Sequence, residues 1–168
     1  TMNVYKNWRE TGSEKRVYIL TRSTFAGQQR YAASTWSGDI TATWEVFKKQ
    51  IPAGLNFCMA GVPYWTNDIG GYWLSPEYLV KGKGTITPGY RELYVRWFQY
   101  GAFCPIFRSH GQHVPREVWR FGEPGDVTYD TLVKFDNLRY RLMPYIYSVA
   151  WMVTDDGYTM MRDRKSVV

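Results

Sequence analysis

Arg22-Ser-Thr-Phe-Ala-Gly-Gln-Gln-Arg-Tyr-Ala-Ala-Ser-Thr-Trp-Ser-Gly-Asp39 is the stretch that decides how the rest of the chain is read. It follows Arg16-Val17-Tyr18-Ile19-Leu20, a run of β-branched and aromatic residues that reads as a strand over 16–21. The run is apolar on both faces, which predicts a parallel strand covered on both sides. A second strand is expected within Arg30 to Trp36, after a loop or short helix over 27–31. Asp39 then lies just beyond a strand end, beside Trp36 and Gly38. A ring that limits water and a glycine that lets backbone approach closely suit a carboxyl that donates a proton at the mouth of a pocket. On its own, an Asp after a Gly is equally a turn or helix-capping residue.

Outward from this stretch, Thr1 to Arg9 carries Tyr5 and Trp8 at helical spacing and ends at Thr11-Gly12-Ser13. Thr41 to Ala53 reads as a helix, with Trp44, Phe47 and Ile51 on one face and Gly54 closing it. Leu55 to Ala60 is expected as a strand, and residues 73–90 as a long aperiodic loop. Glu92 to Ala102 is a predicted helix, Phe103 to Phe107 a strand, and Gln112 to Val127 a polar loop. From about Tyr129 a helix is expected with Leu132, Phe135, Leu138, Leu142 and Ile146 as its stripe, kinked or restarted at Pro144. Four strands alternating with helices give an α/β class with a parallel sheet.

The 168 residues have the length of one domain, and 45% hydrophobic residues supply a core. The net charge of +6 comes from basic residues scattered singly or in pairs, without the stripe or module of a nucleic-acid binder. Aromatic residues make up 18%, enough to fill a core and to leave several rings over for a site. Cys58 and Cys104 alone build neither a disulfide framework nor a metal pattern, and both are read as buried free thiols. No apolar run reaches the ~18 residues of a membrane span, and no signal peptide is visible.

Two further segments stand in register with the first. They are Gly61-Val-Pro-Tyr-Trp-Thr-Asn-Asp-Ile-Gly-Gly-Tyr72, and Arg96-Trp-Phe-Gln-Tyr-Gly-Ala-Phe103 running into Phe107-Arg108-Ser109-His110. Together the three blocks, over about Val17 to Arg162, resemble glycoside hydrolase family 31, the α-glucosidases and α-xylosidases. The resemblance implies the second half of a (β/α)8 barrel, about its last four βα units, with the site past the strand ends. It implies retaining hydrolysis with Asp39 as the general acid/base. Arg22, Trp36, Asp68, Tyr72 and His110 are its implied substrate-binding residues, Trp36 and Tyr72 by stacking.

For each of these a plainer reading stands open: Arg22 as a structural ion pair, Asp68 as an Asx turn or a partner for Arg22, His110 as a satisfied structural residue, Trp36 and Tyr72 as core packing. Arg108 is expected to brace the pocket. This chain has Ser34-Thr35 where many members have a single His before the Trp. The family's nucleophile sits in a Trp-x-Asp-x-x-Glu segment on an earlier strand, and no such segment occurs here. The expected protein is therefore a piece of a retaining α-glycoside hydrolase, inactive alone. The Gln-Gln-Arg-Tyr and Thr-Trp-Ser-Gly-Asp wording is nearest to α-xylosidases. An α-glucosidase and a non-catalytic carbohydrate-binding module are the alternatives. The expected partner is an oligosaccharide or glycoside, with no metal, cofactor, nucleic acid or membrane. Residues 163–168 depart from the family wording, and one of their reverse translations, GAT CGG AAG AGC GTC GTG, matches a sequencing-adapter read-through, so they are expected to be a non-native tail.

Overall fold

The structure, a computed structural model, describes residues 1–80 and 87–162. The expected foreign tail at 163–168 lies outside the described residues. Helix α1 (Met2–Glu10) precedes strand β1 (Ile19–Leu20), and a 3-10 turn at Gln28–Tyr31 leads into β2 (Ala33–Trp36). Then come β3 (Thr41–Ala42), α2 (Trp44–Met59), β4 (Trp65–Thr66), β5 (Trp73–Leu74), α3 (Pro88–Gly101) and α4 (Val127–Asp156).

β1, β2 and β4 form a parallel sheet in that order, with Ile19 opposite Ala33 and Thr35 opposite Trp65. β3 and β5 make a separate parallel pair. Ser34 and Thr35 are both buried in β2 and in register, so the wording peculiar to this chain is absorbed without a bulge. The α/β class holds, and the sheet among the described residues is open rather than closed into a barrel.

Two expected strands are absent. Leu55 to Ala60 is the last turns of α2, which runs through to Met59. The buried positions Gln50, Gly54 and Cys58 recur every fourth residue on one face. Gly54 is not a cap: a Cβ there would lie 2.8 Å from the Trp65 ring, and Trp65 is fully buried. Glycine lets α2 lie directly on β4, and the chain reverses later, at Gly61 with φ of +80°. Trp44 and Ile51, expected on the inner face, are exposed, whereas Phe47 stacks on Trp97 at 5.0 Å.

Phe103 to Phe107 is likewise not a strand. Phe103 is exposed beside buried Cys104, and the carbonyls of Ala102, Cys104 and Pro105 all accept from the Arg139 guanidinium of α4. The segment rejoins the sheet at one parallel bridge, Ile69 to Ser109. The loop expected over 73–90 holds β5, a 3-10 turn at Pro76–Tyr78 and the first turn of α3, whose Pro88 sits at N1 where its missing N–H costs nothing. Residues 81–86 of that loop lie outside the described residues. α4 starts at its Asp126 cap and runs unbroken through Pro144. Tyr140, whose carbonyl loses its partner there, is exposed to water. Cys58 and Cys104 are buried free thiols.

The core lies between the sheet, α3 and α4. Tyr90, Leu93, Tyr94 and Trp97 of α3 are fully buried with Ile69, Phe121 and Leu132. Burial pushes the Tyr90 phenol up to about 12, and its hydroxyl donates to the Gly70 carbonyl at 3.2 Å.

Replacing Gly54 with Ala tests the packing of α2. Helix propensity alone favours Ala by about 1 kcal/mol. Overpacking against Trp65 costs about 1–3 kcal/mol. The expected result is a net loss of stability in urea denaturation; a gain would mean that α2 does not touch β4 at this position.

Candidate active site

The sheet is parallel, so the chain leaves every strand at the same edge. Arg22 follows β1, Asp39 follows β2, Asp68 follows β4, and His110 follows the Ile69–Ser109 bridge. Local bonds then draw these exits together. Gly38, with φ of +79°, turns the chain after Trp36, and a Cβ on it would meet the Arg22 guanidinium at 3.0 Å. Arg22 therefore lies flat against the backbone that presents Asp39. The Ile40 carbonyl accepts from the Tyr72 and Trp73 amides at 2.7 and 3.1 Å, tying the Asp39 loop to Tyr72. Gly71 sits on β3: its Cβ would come 2.5 Å from the Ala42 nitrogen.

Asp68 is fully buried. Its Oδ1 accepts from the Arg108 guanidinium, while Oδ2 has no hydrogen-bond partner among the described residues. Burial pushes the Asp68 carboxyl above the ordinary carboxylate range. Arg108 and His110 pull it back, and the charge of Asp39 adds to the rise. That mutual influence puts Asp39, Asp68, Arg108 and His110 in one electrostatic cluster. Arg108 also faces the Trp36 ring, 5.7 Å from its centroid, so one guanidinium joins the buried carboxylate to the half-buried indole. The Tyr72 ring lies 5.6 Å from the His110 imidazole. Asp39 and His110 are exposed, as is Arg22.

The structure thus brings Trp36, Asp39, Asp68, Tyr72 and His110 to one edge, with Arg22 flanking Asp39. The open reading of Asp68 as a partner for Arg22 is overturned: Arg108 is its partner, and Arg22 makes no ion pair among the described residues. Arg22 is therefore not a structural ion pair beneath the sheet either. Arg108 braces Asp68, as expected.

Three supporting groups carry no motif or periodic signal. Asn67 accepts from the Trp97 indole and donates to the Cys104 thiol at 3.8 Å, anchoring the base of the Asp68 turn to α3. The Tyr94 hydroxyl bonds Ser109 at 2.8 Å, next to His110. Arg116, inside what reads as a featureless polar loop, is buried. A cleft of about 320 Å³ opens beside His110 and Arg116, and Asp39 does not line it. No helix among the described residues is long and apolar enough to cross a membrane, and those residues hold no cluster of three metal-ligating side chains.

Comparison with known proteins fits this geometry. The profile of the glycosyl hydrolases family 31 TIM-barrel domain matches residues 1–149. An α-xylosidase of Saccharolobus solfataricus is 50% identical over 163 residues, which is 96% of this chain and 20% of that protein. A probable glucan 1,3-α-glucosidase of Arabidopsis thaliana is 38% identical over 92% of this chain and 15% of its own length. The crystal structure of a family 31 α-xylosidase from Xanthomonas citri superposes with a TM-score of 0.89 at 42% identity, covering 96% of this chain and 17% of that one. The relatives are glycoside hydrolases built on an α/β catalytic fold. The chain belongs to glycosyl hydrolases family 31, and it spans about a fifth of the length of the curated α-xylosidase it matches.

The Asp68–Arg108 pair can be tested by stability. In Arg108→Met the buried carboxylate loses its counter-charge, which costs about 3–5 kcal/mol. Its folded pKa then rises further above the unfolded value. Stability is therefore greatest at acid pH and falls as pH rises through the folded value. Adding Asp68→Asn should flatten that pH dependence and recover much of the loss. A single variant with the pH profile of the parent would mean that Arg108 does not hold the carboxylate.

Proposed function

We propose that this chain is the acid/base half of a retaining α-glycoside hydrolase site, most closely that of an α-xylosidase releasing α-linked xylose from oligosaccharides. The observation that carries the reading is Asp39: an exposed carboxyl directly after β2, tied by the Ile40 carbonyl to Tyr72 and lying within electrostatic reach of buried Asp68. The corresponding architecture is the last four βα units of a (β/α)8 barrel. The chain-order pairing of β1, β2 and β4, extended by the Ile69–Ser109 bridge, supports it. The α-xylosidase name of the relative at half identity favours xylose over glucose.

In this mechanism Asp39 protonates the glycosidic oxygen as the bond to the anomeric carbon breaks, then takes a proton from the water that hydrolyses the glycosyl-enzyme. The attacking carboxylate, held about 5–5.5 Å away in retaining enzymes, is supplied by sequence outside these 168 residues. Trp36 and Tyr72 offer ring faces to the apolar C–H face of the sugar. Arg22 and His110 donate to hydroxyls. Asp68 Oδ2, buried and without a hydrogen-bond partner among the described residues, is the carboxyl oxygen that would accept from one. Residues 163–168 are proposed to be non-native; resequencing that runs on in family wording past Arg162 supports this, and a genuine stop refutes it.

The test joins the chain to a nucleophile-bearing portion and compares Asp39→Ala with the parent on aryl α-xylosides. Removal of the general acid should cost about 10²–10⁴-fold with poor leaving groups and far less with good ones. Equal loss on both, or none, would overturn the role of Asp39. Preferential release of glucose would make the enzyme an α-glucosidase. Sugar binding by the parent and by Asp39→Ala alike, with no turnover by either, would make the domain a binding module. The 168 residues alone should hydrolyse nothing.

A further inference from the structure

The wall that carries Tyr72 and His110 is built from two segments without regular structure, the turn over 70–72 and the loop over 110–116. The turn is held beside β3 by the Ile40 carbonyl, and the loop has no strand or helix of its own. Between them lies the Arg116 guanidinium, 8% exposed. Its Nη2 donates to the Gly71 carbonyl at 2.7 Å and reaches the Tyr72 carbonyl at 3.5 Å. Its Nη1 donates to the carbonyls of Gln112 and Val114, both at 3.1 Å. The second pair straddles His113, a non-glycine residue held at φ of +76°. No carboxylate lies within ion-pair distance of Arg116 among the described residues. Its two terminal nitrogens are met by backbone carbonyls, its side chain also bears on the Tyr90 phenol, and its Nε has no hydrogen-bond partner among the described residues.

The guanidinium packs directly over the backbone of Gly111. A Cβ on Gly111 would lie 2.2 Å from the Arg116 Cζ, so position 111 is glycine because the guanidinium passes over it. The Arg116 backbone is fixed from below, where the Tyr94 hydroxyl donates to its carbonyl at 2.9 Å and contacts Ser109 at 2.8 Å. The Gln112 amide adds one direct bond across the seam, to the Tyr72 carbonyl at 2.9 Å.

We propose that Arg116 is a positioning residue: its planar fork clamps the Tyr72 turn to the His110 loop and thereby sets the spacing of the two sugar-contacting side chains. This rests on the reading of Tyr72 and His110 given above. A lysine at 116 keeps the charge but not the fork, because a single ammonium cannot donate in one plane to both segments. Arg116 touches no substrate, so it acts only through the geometry of the wall.

Three variants decide this in the chain joined to its nucleophile-bearing portion. Arg116→Lys removes the fork. Gly111→Ala leaves Arg116 in place and pushes the guanidinium aside. Gly54→Ala lowers stability through Trp65 and serves as the structural control. Both site variants should lower kcat/KM on aryl α-xylosides by about a hundredfold, the scale of a misplacement near 1 Å, chiefly through KM. Both should also lose the nuclear Overhauser contact between the Tyr72 ring and the His110 imidazole. Gly54→Ala should melt earlier while keeping KM and that contact. Parent-like KM and an intact contact in folded Arg116→Lys and Gly111→Ala would overturn the proposal. So would unfolding of both, which would make Arg116 a folding residue only. If the parent hydrolyses no α-glycoside, the catalytic reading has failed, and the Tyr72–His110 contact still decides the clamp on its own.

Discussion

A carboxylate taken wholly out of water must be answered at close range, and at Asp68 the answer is Arg108. Most of the site hangs on that pair. Asp68 ends the β4 exit and Arg108 precedes His110, so the ion pair ties that exit to a segment joined to it by the Ile69–Ser109 bridge and by the Thr66 hydroxyl on the Ile106 carbonyl. The same guanidinium lies over Trp36 at the end of β2. One charge therefore aligns three exits that short strands alone could not hold.

Arginine recurs wherever the chain has carbonyls and no ladder to receive them. Arg139 takes those of Ala102, Cys104 and Pro105, Arg116 takes those of the 70–72 and 110–116 segments, and Arg91 takes that of Phe121 while pairing Asp126. The reason is the accounting of backbone groups: a buried carbonyl outside secondary structure must find a donor. A guanidinium offers five donors in a plane and keeps its charge. The positive balance that argues against a nucleic-acid role when read from sequence is thus partly internal, consumed by irregular backbone.

This also explains what was legible in the sequence. Period and composition identified α3, α4 and the β1–β2 region, because the helices turn one face to the core and β2 is buried at three consecutive positions. They failed at 55–60 and 103–107, where short apolar runs are compatible with helix, strand or buried turn. What decides such runs is tertiary: Trp65 demanding a glycine from α2, and Arg139 taking the carbonyls that a strand would share. Even so, the candidate site residues were found at one edge. Asp68 follows a strand whether that strand is drawn at 55–60 or at 65–66, although the first reading ends it at Gly61 and only the second puts Asp68 directly past the strand end. Arg116 could not be found this way. A lone arginine between Pro115 and Glu117 carries no periodic or motif signal, and its role exists only once two distant loops meet.

The two carboxyls at the site edge stand in opposite environments, and that contrast bears on what each is fit to do. A proton shuttle must meet solvent and substrate in the same cycle, so burial would isolate it from the water it has to deprotonate. Asp39 is the exposed one, carried on a glycine turn. A carboxyl that fixes geometry gains from the reverse condition, because low dielectric strengthens its hold on one partner and excludes competing water. Asp68 is the buried one, its hold on Arg108 strengthened by the same burial that raises its pKa. Exchanging the two environments would leave a shuttle without water and a brace without rigidity. The division of labour proposed for them follows from where β2 and β4 end relative to the core: β2 delivers its carboxyl past the surface, and β4 stops beneath it.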